Sequence, residues 1–464
     1  MLVAFSDLHL TDESTAINVN PEAFSNVLQK EIEHNYSRKG LQEIVLVLLG
    51  DIYDLVRTDY WLKISEDERP WFGVIDKKSG MNNKTKIIEK HYLNALELIL
   101  KNRSSIAFIE MLNSIKRNCP DIPVKIKYVI GNHDRILNSF VSLQNRLKVE
   151  LKEYDKDSIE FCNYFRSDDY SLFCRHGHEW DADNYGYQLY KLMNKKSKYE
   201  IKKFEPEVYK VQTIGEVITC ELMSGIIHRI KDLNNKKFTD YVMNVNNVRP
   251  MTDSFMWLSW IGKGISESKE WSNKSLEVLL ESFKESMRQL LKSSFSDKWD
   301  GIINEYFYFR GDITDRFGQL LEIIENFNFK QVSQLAEVLN SLGNMKDFLH
   351  KPKDDLLEGA KIDFSDPENK DIQYILYGHT HEARNDYIDG TVDGKVKMYI
   401  NTGTFLPYVQ KTLNGNGFAS AHQLTMVYIF LKSEDTEKKG TVIKNVNQTL
   451  DLWNGIKRKD YTSI

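Results

Sequence analysis

The sequence predicts an α/β fold in which two packed sheets are flanked by helices and interrupted by a long helical insertion. Three observations predict it. Apolar runs alternate with helical periods over the first 150 residues, strand-like runs return after residue 370, and the stretch from 186 to 367 is rich in Lys, Asn, Glu and Ser with several helical periods. At 464 residues the chain can bury a large core and is expected to hold more than one lobe.

The elements follow in order. A strand is expected over 2–6, a helix near 22–34, a strand over 43–49, a helix over 85–117, a strand over 124–130 and a helix over 138–150. Two short strands follow at 159–163 and 170–174. After the run IQYILYG, which ends at Gly378, strands are expected to end at 399–404, to span 424–431 and to close the chain near 441–446. The runs LVAFS, IVLVLLG, VKIKYVIG and IQYILYG are apolar enough to read as buried strands.

Each of those four runs ends at a block of polar residues: Asp7-Leu8-His9, Gly50-Asp51-Ile52-Tyr53-Asp54, Gly131-Asn132-His133-Asp134 and Gly378-His379-Thr380-His381. A fifth block, His176-Gly177-His178, follows the shorter run at 170–174. Side chains at the carboxyl ends of strands in an α/β sheet can converge on one crevice. Imidazole nitrogen and carboxylate oxygen suit manganese, iron and zinc, whereas thiolate clusters mark structural zinc or iron–sulfur centres. The four cysteines, Cys119, Cys162, Cys174 and Cys220, are isolated and supply no such cluster. One block alone carries little, since Asp-x-His arises often by chance. Five in this order point to a two-metal hydrolytic site.

In type and order the blocks resemble those of the calcineurin-like metallophosphoesterase superfamily, over roughly residues 1–185 and 370–435. The resemblance implies a four-layer αββα sandwich, to which the Asn401-Thr402-Gly403-Thr404 stretch also looks like the usual ending. It implies one metal on Asp7, His9 and His381, a second on Asn132, His176 and His379, and Asp51 bridging them. His133 would protonate the leaving oxygen, oriented by Asp54. Two divalent ions are implied, manganese first, with iron, zinc or nickel as alternatives. Such a pair acidifies a bridging water and neutralises charge on the phosphoryl oxygens, while a histidine beside a carboxylate suits proton donation near neutral pH.

Other residues keep two readings. His178 is either an extra substrate or metal contact or a supporting group behind the ligands. Asp134 fixes its loop, while Arg135 either binds phosphate or makes a surface ion pair. Lys191, Lys195, Lys198 and Lys202 fall on one stripe if helical, which reads as a solvated face or as a track for a phosphate backbone. Trp61, Trp71 and Phe72 either stack on a base or sugar or plug the edge of the sandwich. Gly311-Asp312-Ile313-Thr314-Asp315 repeats the spelling of the second block without the following blocks, so Asp312 is excluded from the site.

The insertion over 186–367 divides the catalytic region into 1–185 and 368–464. It reads as a helical cap joined near Tyr185 and Asp371, with Leu276, Leu279, Leu280, Phe283, Met287, Leu290 and Leu291 building one amphipathic helix and 329–348 another. Caps that emerge beside a site commonly select substrate. A net charge of −5 argues against a uniformly basic nucleic-acid binder. Met1 abuts the first strand and no apolar stretch approaches about 18 residues, so a cytoplasmic protein without a membrane span is expected.

Within the superfamily, protein phosphatases carry Gly-Asp-x-Val-Asp-Arg-Gly and Gly-Asn-His-Glu, where this chain has Leu55-Val56 and Asp134. Gly-Asn-His-Asp is similar to the double-strand-break repair exonucleases, whose accessory domain follows the last His block; here only a short tail does. The stretch from His176 to Gln188 resembles the UDP-diacylglucosamine pyrophosphatases, which lack the His of the third block and the long insertion. The expected substrate is therefore a phosphodiester or phosphoanhydride in a nucleotide or nucleic acid. A phosphomonoesterase and a non-catalytic metal-holding scaffold for a partner are the alternatives.

Overall fold

A computed structural model describes residues 1–464 apart from 39, 195–198, 234, 250–252, 268–272, 304–317, 319–320, 323–324, 326–351, 391–395, 416, 432, 435–448 and 462–464. The expected features at 311–316, 329–348 and 441–446, together with Lys195 and Lys198, lie outside the described residues.

The fold is mixed α/β with two sheets. In the first, Leu2–Phe5 (β1), Ile44–Leu49 (β2), Val124–Val129 (β3) and Ile159–Cys162 (β4) run parallel as neighbours in that order. The second contains Tyr164–Ser167 (β5), Leu172–Arg175 (β6), Tyr374–Tyr377 (β7), Ala383–Gly390 (β8) and Val396–Thr402 (β9), in the order β5-β6-β7-β9-β8. Pro407–Lys411 (β10), Phe418–Phe430 (β11) and Thr449–Tyr461 (β12) extend the first sheet, β11 lying antiparallel to β1 and to both of its companions. β5 was not expected from the sequence, and β11 begins six residues before the expected 424.

Strand alternation explains how the sheets meet. Every side chain of β1 and β2 is buried, and successive ones point to opposite faces. Leu2, Ala4, Val45, Val47 and Leu49 pack against Leu172, Cys174, Leu376, Met398 and Ile400 of the second sheet. Val3, Phe5, Leu46 and Leu48 point the other way, into a core shared with helices Thr85–Leu100 and Arg103–Asn118. On the far face of the second sheet, Phe173, Ile375, Tyr377 and Tyr399 lie under Leu356, Ala360 and Phe364 of helix Pro352–Ser365.

The helix expected over 85–117 is two helices. Asn102 is extended at φ −70°, ψ 145°, and its side chain accepts from Ser104 N, which caps a new helix and ends the old one. The helix expected from 138 starts at Val141, after a 3₁₀ turn over Arg135–Asn138.

The insertion is stitched to the rest along its described length, not only at its two ends. Ile214, Val217, Cys220, Ile226 and Ile230 share one core with Trp61, Trp71, Ile88 and Tyr92. Backbone bonds run from Gln212 N to Ser79 O (2.8 Å), Phe295 N to Trp71 O (3.1 Å) and Arg249 N to Val409 O (2.8 Å). Polar side chains add to this: Glu221 accepts from Arg69 and Trp71, and Asp59 pairs with His228 and Lys231. Trp61, Trp71 and Phe72 are buried within that shared core and do not present a stacking surface. Among the described residues no helix is long and apolar enough to cross a membrane.

Candidate metal centre

The backbone at the strand ends is unusual before any side chain is considered. Asp7, His9, Asp51, His379 and His381 have positive φ, between 43° and 71°. Such a conformation costs a non-glycine residue about 1–2 kcal/mol and persists only where surrounding contacts enforce it. It turns each chain sharply off its strand so that the side chains face one another. The glycines beside them leave room for this: a Cβ on Gly131 would strike the Asp51 carboxylate, and one on Gly378 would strike that of Asp7. Asn401 near the end of β9 and Thr404 just beyond it hold two of the loops, Thr404 Oγ1 donating to Asp7 O (2.7 Å) and Asn401 Nδ2 to Gly378 O (2.6 Å).

The blocks meet in three overlapping groups that could hold a metal ion among the described residues: the two ligand sets taken up next, and His9, Asp54 and His133, which shares His9 with the first of them. Asp7, His9 and His381 form one and Asp51, His176 and His379 the other, with donor atoms within 4.8 Å of each other in each set. Asn132 joins the second set, its Oδ1 lying 3.1 Å from His379 Nδ1. Asp51 Oδ2 stands between the sets, 3.6 Å from His9 Nε2 and 3.2 Å from His176 Nε2.

These residues fit divalent cations. Asp7 Oδ1 and His176 Nε2, one in each set, are buried without a hydrogen-bond partner among the described residues, an arrangement that costs energy unless something polar completes it. The opposite ring nitrogens are held: His176 Nδ1 by Leu49 O (2.9 Å), His9 Nδ1 by Asp54 Oδ2 (2.8 Å) and His379 Nε2 by Asp181 Oδ2 (2.9 Å). Partners of that kind fix ring orientation and leave the other nitrogen for a metal.

The electrostatics agree. Although burial pushes it up, the Asp51 carboxyl is held well below its ordinary range by His176, His133 and His9. Against the opposing effect of burial, Asp51 and Asp7 push the His176 imidazole up to about 10. Surroundings that favour a proton on that ring favour a metal cation in the proton's place.

His133 lies beside these sets. Its Nδ1 is 2.9 Å from Asp54 Oδ2, the oxygen that also holds His9. Burial lowers its affinity for a proton, and Asp54 and Asp51 oppose that. Asp134 accepts from Ile52 N, Tyr128 OH and Gly131 N, so it fixes the loop. Burial, followed by the repulsion of Asp51, pushes its carboxyl up to about 7.

Three expectations change. Arg135 neither faces a phosphate nor makes a surface ion pair: it is buried, bound by both oxygens of Glu216 and donating to Lys210 O. The lysine stripe does not extend to Lys202, because the helix Tyr187–Met193 that carries Lys191 ends there and Lys202 lies in an exposed loop. His178 is buried between Tyr185 and Tyr209 with its ring 5.4 Å from that of His176, and it joins neither ligand set. Burial, with opposition from Glu179, drives its imidazole down to about 4, which keeps it neutral as a support behind the ligands.

Three neighbours of the site were not found by sequence reasoning. Asp181 orients His379; Arg57 Nε sits 3.2 Å from Asp54 Oδ2; and Arg249, from the insertion, places Nη2 2.5 Å from His381 Nδ1. Asp181 falls within the His176–Gln188 stretch and Arg57 follows the second block by three residues, so position was their only signal. Arg249 gave none. No family model matches the chain, and no curated protein does.

Proposed function

We propose that the chain is a dinuclear metal-dependent phosphoester hydrolase of the calcineurin-like kind. The observation that carries this reading is the placement of Asp51 between two imidazole and carboxylate sets, with His133 on Asp54 beside them. Face-to-face sheets with helices on both outer faces support the four-layer αββα sandwich.

Asp7, His9 and His381 would hold one divalent ion, and Asn132, His176 and His379 the other, with Asp51 shared. When bound, the pair supplies Lewis acidity and lowers the pKa of water. The chain's own residues do the rest. Asp54 Oδ2, 2.9 Å from Nδ1 of His133, would pair with that edge of the ring and leave Nε2 to deliver a proton to the departing oxygen. Asp181 and Leu49 O keep the ligand imidazoles turned toward the centre. Acid assistance suits a phosphodiester or phosphoanhydride, in a nucleotide or nucleic acid, whose leaving oxygen needs a proton.

Assaying purified protein with manganese on bis-p-nitrophenyl phosphate and p-nitrophenyl phosphate tests the reading. Faster turnover of the diester is expected. Monoester preference would favour a phosphomonoesterase, and no turnover of either would leave a metal-holding scaffold.

A further inference from the structure

Asn132 can serve a cation only through its amide oxygen, since the nitrogen at the other end of the group is a donor alone. The two ends differ little in size, so their hydrogen-bond partners decide which end faces the centre. Asn132 Nδ2 lies 3.4 Å from Asn184 Oδ1, its acceptor among the described residues. Asn184 is held in turn, its Nδ2 donating to Asp181 Oδ2 (2.8 Å), the oxygen that also lies 2.9 Å from His379 Nε2. An ionised carboxylate only accepts, so it takes the nitrogen end of Asn184 and leaves Oδ1 for Asn132. One oxygen of a buried carboxylate thus sets two members of the second ligand set, His379 directly and Asn132 through Asn184.

The insertion reaches this relay at one short helix, Ile214–Val217. Gly215 N donates to Asp183 O (3.0 Å), and a Cβ on Gly215 would stand 2.2 Å from Asn184 Oδ1. The next residue, Glu216, accepts from Arg135 Nη2 (2.8 Å), two residues beyond His133. That helix therefore lies against both loops that Asn184 joins, the one carrying Asn132 and the one carrying Asp181. Any side chain larger than hydrogen at 215 would displace the oxygen that faces Asn132.

Resting on the two-metal reading above, we propose that Asn184 is a positioning residue of the second ligand set, turning Asn132 Oδ1 toward the ion, and that the insertion keeps it in place at Gly215. The insertion then acts on the centre by setting the orientation of a ligand rather than by closing over the site. Partners behind metal ligands commonly change metal affinity by about 10–100-fold.

Manganese binding tests this without turnover. Titration of the wild type, followed by calorimetry and by the electron paramagnetic resonance signal of free ion, should show two ions per chain. Asn184→Ala should loosen one of them by about tenfold or more and leave the other within about threefold. A general loss of structure would loosen both, and the thermal unfolding midpoint of the metal-free variant monitors it. Gly215→Ala removes no group from the centre and presses on Asn184 from the insertion, so it should loosen the same ion. Acting through Asn184, it should add nothing in the double variant, which is expected to bind no more weakly than Asn184→Ala alone. Losses that add, equal weakening of both ions, or no weakening overturn the proposal, and a wild type that still holds two ions leaves the dinuclear reading standing. A wild type that holds fewer than two overturns both. Should Asn184→Ala not fold, Gly215→Ala decides alone, and unchanged affinity for both ions in that variant overturns the proposal.

Discussion

His133 Nδ1 lies 2.9 Å from Asp54 Oδ2, and that oxygen is also 2.8 Å from His9 Nδ1. One carboxylate therefore orients a candidate acid and a candidate metal ligand together. Losing His133 should matter most where the departing oxygen needs a proton. His133→Asn is expected to keep its metals and lose about 10²–10⁴-fold on an alkoxide leaving group, with a much smaller loss on a nitrophenyl ester. Equal losses on the two substrates would assign His133 to positioning.

Asp54 sets a pH dependence. Burial lowers the His133 pKa and the Asp54 carboxylate raises it, so neutralising Asp54 should lower it further. A general acid works in its protonated form, and activity falls as pH rises through its pKa. In Asp54→Asn, at saturating manganese, the alkaline limb of the kcat/KM profile should move to lower pH. A limb that stays in place, or moves up, would remove Asp54 from that role.

The buried pair of Arg135 and Glu216 ties the third block to the insertion. Glu216→Ala strands a buried guanidinium, and breaking a pair of this kind costs about 3–5 kcal/mol. Denaturant unfolding should show that loss, whereas Glu216→Gln, which keeps one acceptor oxygen, should cost less. A loss under about 1 kcal/mol for Glu216→Ala would mean that the pair is solvated like an exposed one.

Replacing residues 190–366 by a short Gly/Ser linker should yield aggregated or expanded protein. The described insertion covers Trp61, Trp71 and Tyr92 with its own apolar side chains, and deletion would bare that core. Size-exclusion chromatography checks this. A compact monomer with intact diesterase activity would restore the insertion to the status of a separable cap.

The ligand residues were legible because metal chemistry restricts residue type and because each block follows an apolar strand. β1, β2, β3 and β7 end where their apolar runs do, and Asp7, Asp51, Asn132 and His379 stand just beyond them. Arg57, Asp181 and Arg249 were not legible, since each draws its role from a partner distant in sequence. The break at Asn102 was hidden by apolar residues that keep a helical period on both sides of it. The amphipathic pattern of Asn273–Lys292 announced a buried face, with Phe283, Met287 and Leu290 on it, but a pattern does not say what that face covers.

Asp51 offers the most direct test of the central claim, because its Oδ2 stands between the two ligand sets. Wild-type protein equilibrated with manganese and freed of excess ion should hold two ions per chain by elemental analysis. Its electron paramagnetic resonance spectrum should show the spin coupling of a pair roughly 3.5–4 Å apart. Asp51→Asn should bind less metal, lose the coupling and lose turnover. Two uncoupled ions in the wild type, or a coupled pair with full turnover in Asp51→Asn, would contradict the account.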